Sequence, residues 1–200
     1  MLLNSASAGS IGLATRYLPV YHFSERHDIA PIAAPVQTIM NSVKNYDDQQ
    51  DRILNILLKI REMPARLAVE FGGKNALASK PRFGLDNFLV LEESPTELAF
   101  GLIGRFWRPD YGLIPIENAE QFLSFKRTGV PKLIMVFSIE PSSSATQYCL
   151  RTETRIWCPD TRSRLSFIPY WIAIRIASGW IRRRMLSQIK HDAERSLSLL

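Results

Sequence analysis

Three stretches of the chain alternate apolar and polar side chains with a period of two. In Lys132–Glu140, Leu133, Met135, Phe137 and Ile139 share one face, opposite Lys132, Ser138 and Glu140. In Tyr148–Trp157, Tyr148, Leu150, Thr152, Thr154 and Ile156 lie opposite Arg151, Glu153 and Arg155. In Glu97–Phe106, Leu98, Phe100, Leu102 and Phe106 face together, with Gly104 leaving space. Period two predicts strands, and one charged face on each predicts an antiparallel sheet with one wet side. Phe88–Glu93 and Glu97–Phe106 are joined by Ser94-Pro95-Thr96, and Lys132–Ile139 and Tyr148–Trp157 by Pro141-Ser-Ser-Ser144, so both pairs read as hairpins. Residues 108–118 read as a loop, and Phe122–Lys126 fits a strand or a helical turn.

Other stretches follow the helical period. After a first, polar strand at Tyr21–Ala30, Pro35 starts a helix carrying Val36, Ile39, Met40 and Val43 at i, i+3, i+4, i+7 spacing. A second short helix starts near Asp47 and Asp48, with Ile53, Leu54, Leu57, Leu58 and Ile60 as its stripe, and ends near Pro64. Residues 71–84 make a connection. A long helix follows Pro159-Asp160, with Asp160 as its cap. Its recurring positions are Phe167, Trp171, Ile174, Ser178, Ile181 and Met185, and Pro169 is expected to kink or restart it. Residues 1–17 are small, polar and aperiodic, and read as a flexible N-terminal leader ahead of one domain over 18–197. The elements make an α+β domain in which only the last helix is long enough to cover the sheet.

Composition sharpens this picture at three points. Ten Phe, four Trp and six Tyr supply large side chains for a pocket as well as a core. The net charge of +6 gathers in the last helix, where Arg162, Arg164, Arg175, Arg182, Arg183, Arg184 and Lys190 hold seven of the 25 cations. A solvated face accounts for most of them, and the Arg182–Arg184 triplet offers peripheral contact with anionic lipid. Leu165–Ile181 is too short, and too interrupted by Pro169, Arg175 and Gly179, to span a membrane. Cys149 and Cys158 read as free thiols of a reducing, cytoplasmic compartment.

Chemistry is sparse. His22 and His27 fall on opposite faces of the first strand, and His191 lies in a charged helix tail, so no metal site is expected. There is no nucleophile elbow, and Gly72-Gly73-Lys74 lacks the rest of a phosphate-binding loop. The aromatics of the last helix lie opposite most of its arginines, which argues against nucleic acid. Glu153 and Arg155 read as partners in cross-strand salt pairing on the outside of the sheet.

Leu150-Arg-Thr-Glu-Thr-Arg-Ile-Trp157, the Asp-led turn after it, Tyr170-Trp171 and Ile181-Arg-Arg-Arg-Met-Leu186 resemble the C-terminal half of bacterial SRPBCC-type proteins. These belong to the START-like helix-grip superfamily, with the birch-pollen allergen and the polyketide cyclase/dehydrase-like proteins. The Ala-Ala-Pro-Val start of the first helix is similar too, so the resemblance covers roughly residues 20–195. It implies a curved antiparallel sheet of about six or seven strands wrapped around the C-terminal helix, with two short helices after the first strand. Members hold lipids, hormones or pigments, or carry out cyclisation and hydrolysis in the same cavity, so the fold alone does not choose among these.

The expected function is binding of a lipophilic or aromatic small molecule in an apolar cavity between sheet and helix. Phe100, Leu102, Phe106, Met135 and Phe137 would line it. Tyr148, Thr152 and Thr154 would supply polar groups, and Tyr170 and Trp171 would cap it. No catalytic residue, metal or cofactor is assigned. The alternative is an enzyme of polyketide cyclase or hydrolase type, which needs an ionisable side chain turned inward. Glu92, His27 and Arg105 are the candidates for that.

Overall fold

The structure is a computed structural model, and it describes residues 11–46, 87–108, 112–142, 144 and 146–197. Five strands form one antiparallel sheet: β1 (Phe23–Ile32), β2 (Leu89–Glu93), β3 (Glu97–Ile103), β4 (Lys132–Pro141) and β5 (Tyr148–Trp157), in the order β1-β5-β4-β3-β2. Among the described residues four helices accompany them: α1 (Leu13–Tyr17), α2 (Val36–Lys44), α3 (Ala119–Ser124) and α4 (Thr161–Leu197). Both hairpins form as the turn residues predict, with Ser94 Oγ accepting from Glu97 N at 2.9 Å in the first. Among the described residues the sheet has five strands where six or seven were expected. The helix expected over 47–64 and the connection at 71–84 lie outside the described residues.

The inner face of the sheet is the one the alternation marks. Met135, Phe137, Leu150 and Leu98 pack with Ile39, Met40 and Val43 of α2 and with Met185, Leu186, Ile189 and Ala193 of α4. Met135 is 2% exposed and Phe137 1%, whereas Leu133 is half-buried and Glu140 exposed. The terminal helix packs chiefly on β1 and α2. Its far end clips the β1–α2 corner, where Glu194 Oε1 accepts from Ala33 N at 3.0 Å and Lys190 Nζ donates to the Pro31 carbonyl.

The outer face is wet only in part, because α1 and α3 cover it over β2, β3 and β4 while Ser24, Arg26 and Asp28 of β1 stay exposed. Leu13, Ala14, Tyr17 and Leu18 join Leu91, Ala99, Ile103, Ile134, Val136 and Phe122 in a second core. Residues 13–17, expected in a flexible leader, are therefore packed helix. Tyr17 Oη donates to Glu92 Oε2 at 2.8 Å, and Leu13 N donates to Glu97 Oε2 at 3.2 Å. Of the strand and the helical turn that its sequence allowed, Phe122 takes the helical alternative: it lies in α3 and is fully buried.

Lys132, expected in solvent, is 6% exposed. Its ammonium donates to the Phe122 carbonyl at 2.7 Å and the Leu123 carbonyl at 3.0 Å, satisfying carbonyls that the end of α3 leaves open. Desolvation pushes it down to about 8 from the ordinary 10.5, with Lys126 adding to the effect. Glu153 and Arg155 pair on the outer face along one strand, at 2.6 Å, and Arg155 also donates to Leu18 O at 3.3 Å.

Asp160 caps α4 as its sequence predicts. Its Oδ1 accepts from Ser163 N at 2.7 Å, and its Oδ2 from Gly129 N at 2.6 Å. Gly129 has φ +72°, a left-handed turn that brings the loop before β4 onto the helix start. The helix then runs for 37 residues through Pro169 without a restart. At about 1.5 Å per residue it extends some 55 Å, long enough to touch both ends of the sheet.

Candidate functional site

Strand register turns the inner face into cross-strand rows. Phe100, Met135, Thr154 and Glu25 stand side by side across β3, β4, β5 and β1. In the neighbouring row stand Leu98, Phe137, Thr152 and His27. Each row is apolar on β3 and β4 and polar on β5 and β1. The flanking rows, Leu102 with Leu133, Ile156 and Phe23, and Ile139 with Leu150 and Ile29, are apolar throughout. The polar positions therefore form a patch on β5 and β1 between apolar bands, with α4 over it.

Ser178, Gly179 and Arg182 of α4 meet that polar patch. Ser178 Oγ donates to Glu25 Oε2 at 2.8 Å, and Glu25 Oε1 lies 2.8 Å from His27 Nε2. Gly179 permits the approach, since a Cβ there would stand 3.3 Å from Glu25 Oε1 and 3.4 Å from His27 Cε1. Arg182 Nη1 donates to Thr152 Oγ1 at 3.0 Å and to Met135 Sδ, and Nη2 donates to Thr154 Oγ1 at 2.9 Å. Burial pushes its guanidinium down to about 10, with the charge of Glu25 acting the other way. None of the ion pairs among the described residues involves Arg182.

The expected site residues divide into two groups. Phe100, Met135, Phe137 and Tyr148 belong to the core beneath α2 and the far half of α4, with Phe100 and Tyr148 at its half-buried edge. Leu102, Phe106, Tyr170 and Trp171 belong to an aromatic cluster at the start of α4, centred on Phe167. Thr152 and Thr154 lie between the groups and hold Arg182. Of the three candidate ionisable groups, only His27 turns inward. Glu92 pairs with Arg16 at 2.6 Å on the outer side, and Arg105 Nε donates to the Gly129 carbonyl at 2.7 Å.

Arg182 overturns the expectation that it joins Arg183 and Arg184 at the surface. Those two are exposed, while Arg182 points into the sheet. The cause is helical phase: Arg182 follows Ser178 by four residues and precedes Ile189 by seven, so it shares their face. The same signal on β1 was legible in Phe23 and Ile29, which place Glu25 and His27 between them on one face.

Chemically, the cluster supplies a guanidinium, two hydroxyls and a carboxylate–imidazole pair beside an apolar surface. Ser178 is bonded to the carboxylate and not to the imidazole, unlike the hydroxyl of a Ser-His hydrolase. Among the described residues no group of three His, Cys, Asp or Glu side chains could hold a metal ion, and no helix is long and apolar enough to cross a membrane. No family model matches the chain, and no curated protein matches its sequence.

Proposed function

We propose that the protein is a START-like helix-grip domain that binds a lipophilic small molecule between the inner sheet face and α4. The carrying observation is that polar patch set in an otherwise apolar inner face. Large apolar side chains surround it, and Phe100, Leu133 and Tyr148 remain half-buried although they face inward. A ligand would complete their burial at about 25 cal/mol per Å² of apolar surface. The cytoplasm remains the proposed location.

A neutral hydrophobic fluorophore, N-phenyl-1-naphthylamine, tests this. Wild-type protein should bind it saturably and near one to one. Phe100→Trp fills ligand volume and should weaken binding about tenfold, or roughly 1.4 kcal/mol, with the fold intact. Absence of saturable binding would overturn the reading.

One observation favours a second reading, an enzyme of cyclase or hydrolase type. His27 faces the interior with a carboxylate fixed on Nε2, the arrangement that orients an imidazole for acid–base work. Peripheral contact with anionic lipid, proposed for the arginine triplet, rests on Arg183 and Arg184 once Arg182 is withdrawn from it.

A further inference from the structure

We propose that Arg182, seated by Thr152 and Thr154, is the anchor for an anionic head group, of carboxylate type, on the lipophilic ligand. This rests on the binding reading above and names the class of molecule that fits it.

Four observations on the molecule converge here. First, a guanidinium carries five N–H donors, and three are engaged, by the two threonine hydroxyls and the Met135 sulfur. Second, all three acceptors are neutral. They position the charge without neutralising it, and a charge drawn partly out of water carries a cost that a counter-charge reaching it would relieve. Third, Glu25 makes no ion pair with Arg182 among the described contacts: its oxygens are engaged by His27 and Ser178, and its charge acts on the guanidinium only at a distance. Fourth, Arg182 stands at the edge of the polar patch, touching apolar Met135 on β4 and Thr154 in the same row on β5. An acid held there by its head would lay its chain toward Phe137 and Phe100.

The planar fork of arginine suits a carboxylate, which it meets through two parallel N–H donors. The Glu25 charge in the same patch disfavours a head of higher charge, so a monoanion fits better than a phosphate dianion.

The test is displacement of N-phenyl-1-naphthylamine by three twelve-carbon probes: dodecanoate, dodecanol and dodecyltrimethylammonium. Dodecanoate should displace it from wild-type protein at a concentration at least tenfold lower than either of the others. Arg182→Met keeps length and apolar bulk, so it should bind the fluorophore but treat dodecanoate and dodecanol alike. Should that variant fail to fold, Thr152→Val and Thr154→Val together unseat the guanidinium while retaining it, and should reduce the preference. Bound fluorophore with equal displacement by acid and alcohol overturns the anchor and leaves the binding reading standing. Failure of both fluorophore and dodecanoate to bind overturns both.

Discussion

Phe167→Ala is the perturbation that measures how firmly α4 is held on the sheet. Phe167 is 0% exposed and lies at the centre of five aromatic rings. Phe23 is 5.0 Å away centroid to centroid, Trp107 5.4 Å, Tyr170 5.5 Å, Phe106 5.6 Å and Trp171 5.9 Å. Three of the contacts, those with Phe23, Phe106 and Trp107, are edge-on, the geometry in which ring pairs gain about 0.5–1.5 kcal/mol beyond their buried area. A buried Phe→Ala change costs about 3–5 kcal/mol, and the loss of three edge contacts puts this one near the top of that range. A domain is stable by only about 5–15 kcal/mol, so a third or more of the total should disappear. Trp171, placed on the same stripe by its sequence, is half-buried and touches only Phe23 and Phe167 among the described rings. Trp171→Ala should cost no more than about half as much. Urea unfolding followed by far-ultraviolet circular dichroism gives both values as midpoint shifts at constant slope. A cost under about 1 kcal/mol for Phe167→Ala, or a larger one for Trp171→Ala, would mean that α4 is rotated from this placement.

Two further substitutions probe the faces of the sheet. Lys132 loses its proton near pH 8 in the folded state but near 10.5 when unfolded, so between these values the unfolded chain binds more protons and stability should rise with pH. Lys132→Met should lack that rise and should lose about 1–3 kcal/mol at neutral pH by stranding the α3 carbonyls; denaturation at pH 7.5 and 9.5 checks both, and a parallel pH response in the two proteins would refute the assignment. Gly179→Ala would gain about 0.5–1 kcal/mol in an unobstructed helix, but its Cβ meets Glu25 and His27 at 3.3–3.4 Å, so thermal unfolding should show no gain; the full gain would place the helix farther from β1.

Alternation made the inner face legible in advance. Met135, Phe137, Thr152 and Thr154 are where period two puts them, because a shift by one residue would have turned each strand inside out. The outer face was not legible. Its polar positions are real and those of β1 are exposed, yet α1 and α3 cover the rest, and a five-residue helix leaves no periodic trace in sequence. Lys132 therefore read as solvated when it is a buried cap. In α4 the stripe through Phe167, Trp171 and Ser178 continues equally well to Ile181 or Arg182, and hydropathy favours Ile181. Only the positions beyond it, Leu186, Ile189 and Ala193, put the phase on Arg182.

That phase carries the functional argument. Threonines at 152 and 154, a glutamate at 25 and an arginine at 182 are poor choices for a region whose only task is to pack. Buried ionic groups can commonly be replaced by apolar ones of similar volume without loss, and often with a gain of about 1–4 kcal/mol. Here the polar groups occupy the β5 and β1 ends of rows whose β3 and β4 ends are wholly apolar. Those rows are adjacent and the flanking ones are apolar on β5 and β1 as well, so the polarity is one compact patch, which suits an amphiphile with its head on β5 and its chain along the row toward β3. Because the serine of the cluster is bonded to the carboxylate, the geometry offers no activated hydroxyl, and a reaction there would have to proceed through proton transfer at His27. Binding needs no such step, which is why the boundary between Met135 and Thr154 argues for a ligand before it argues for a reaction.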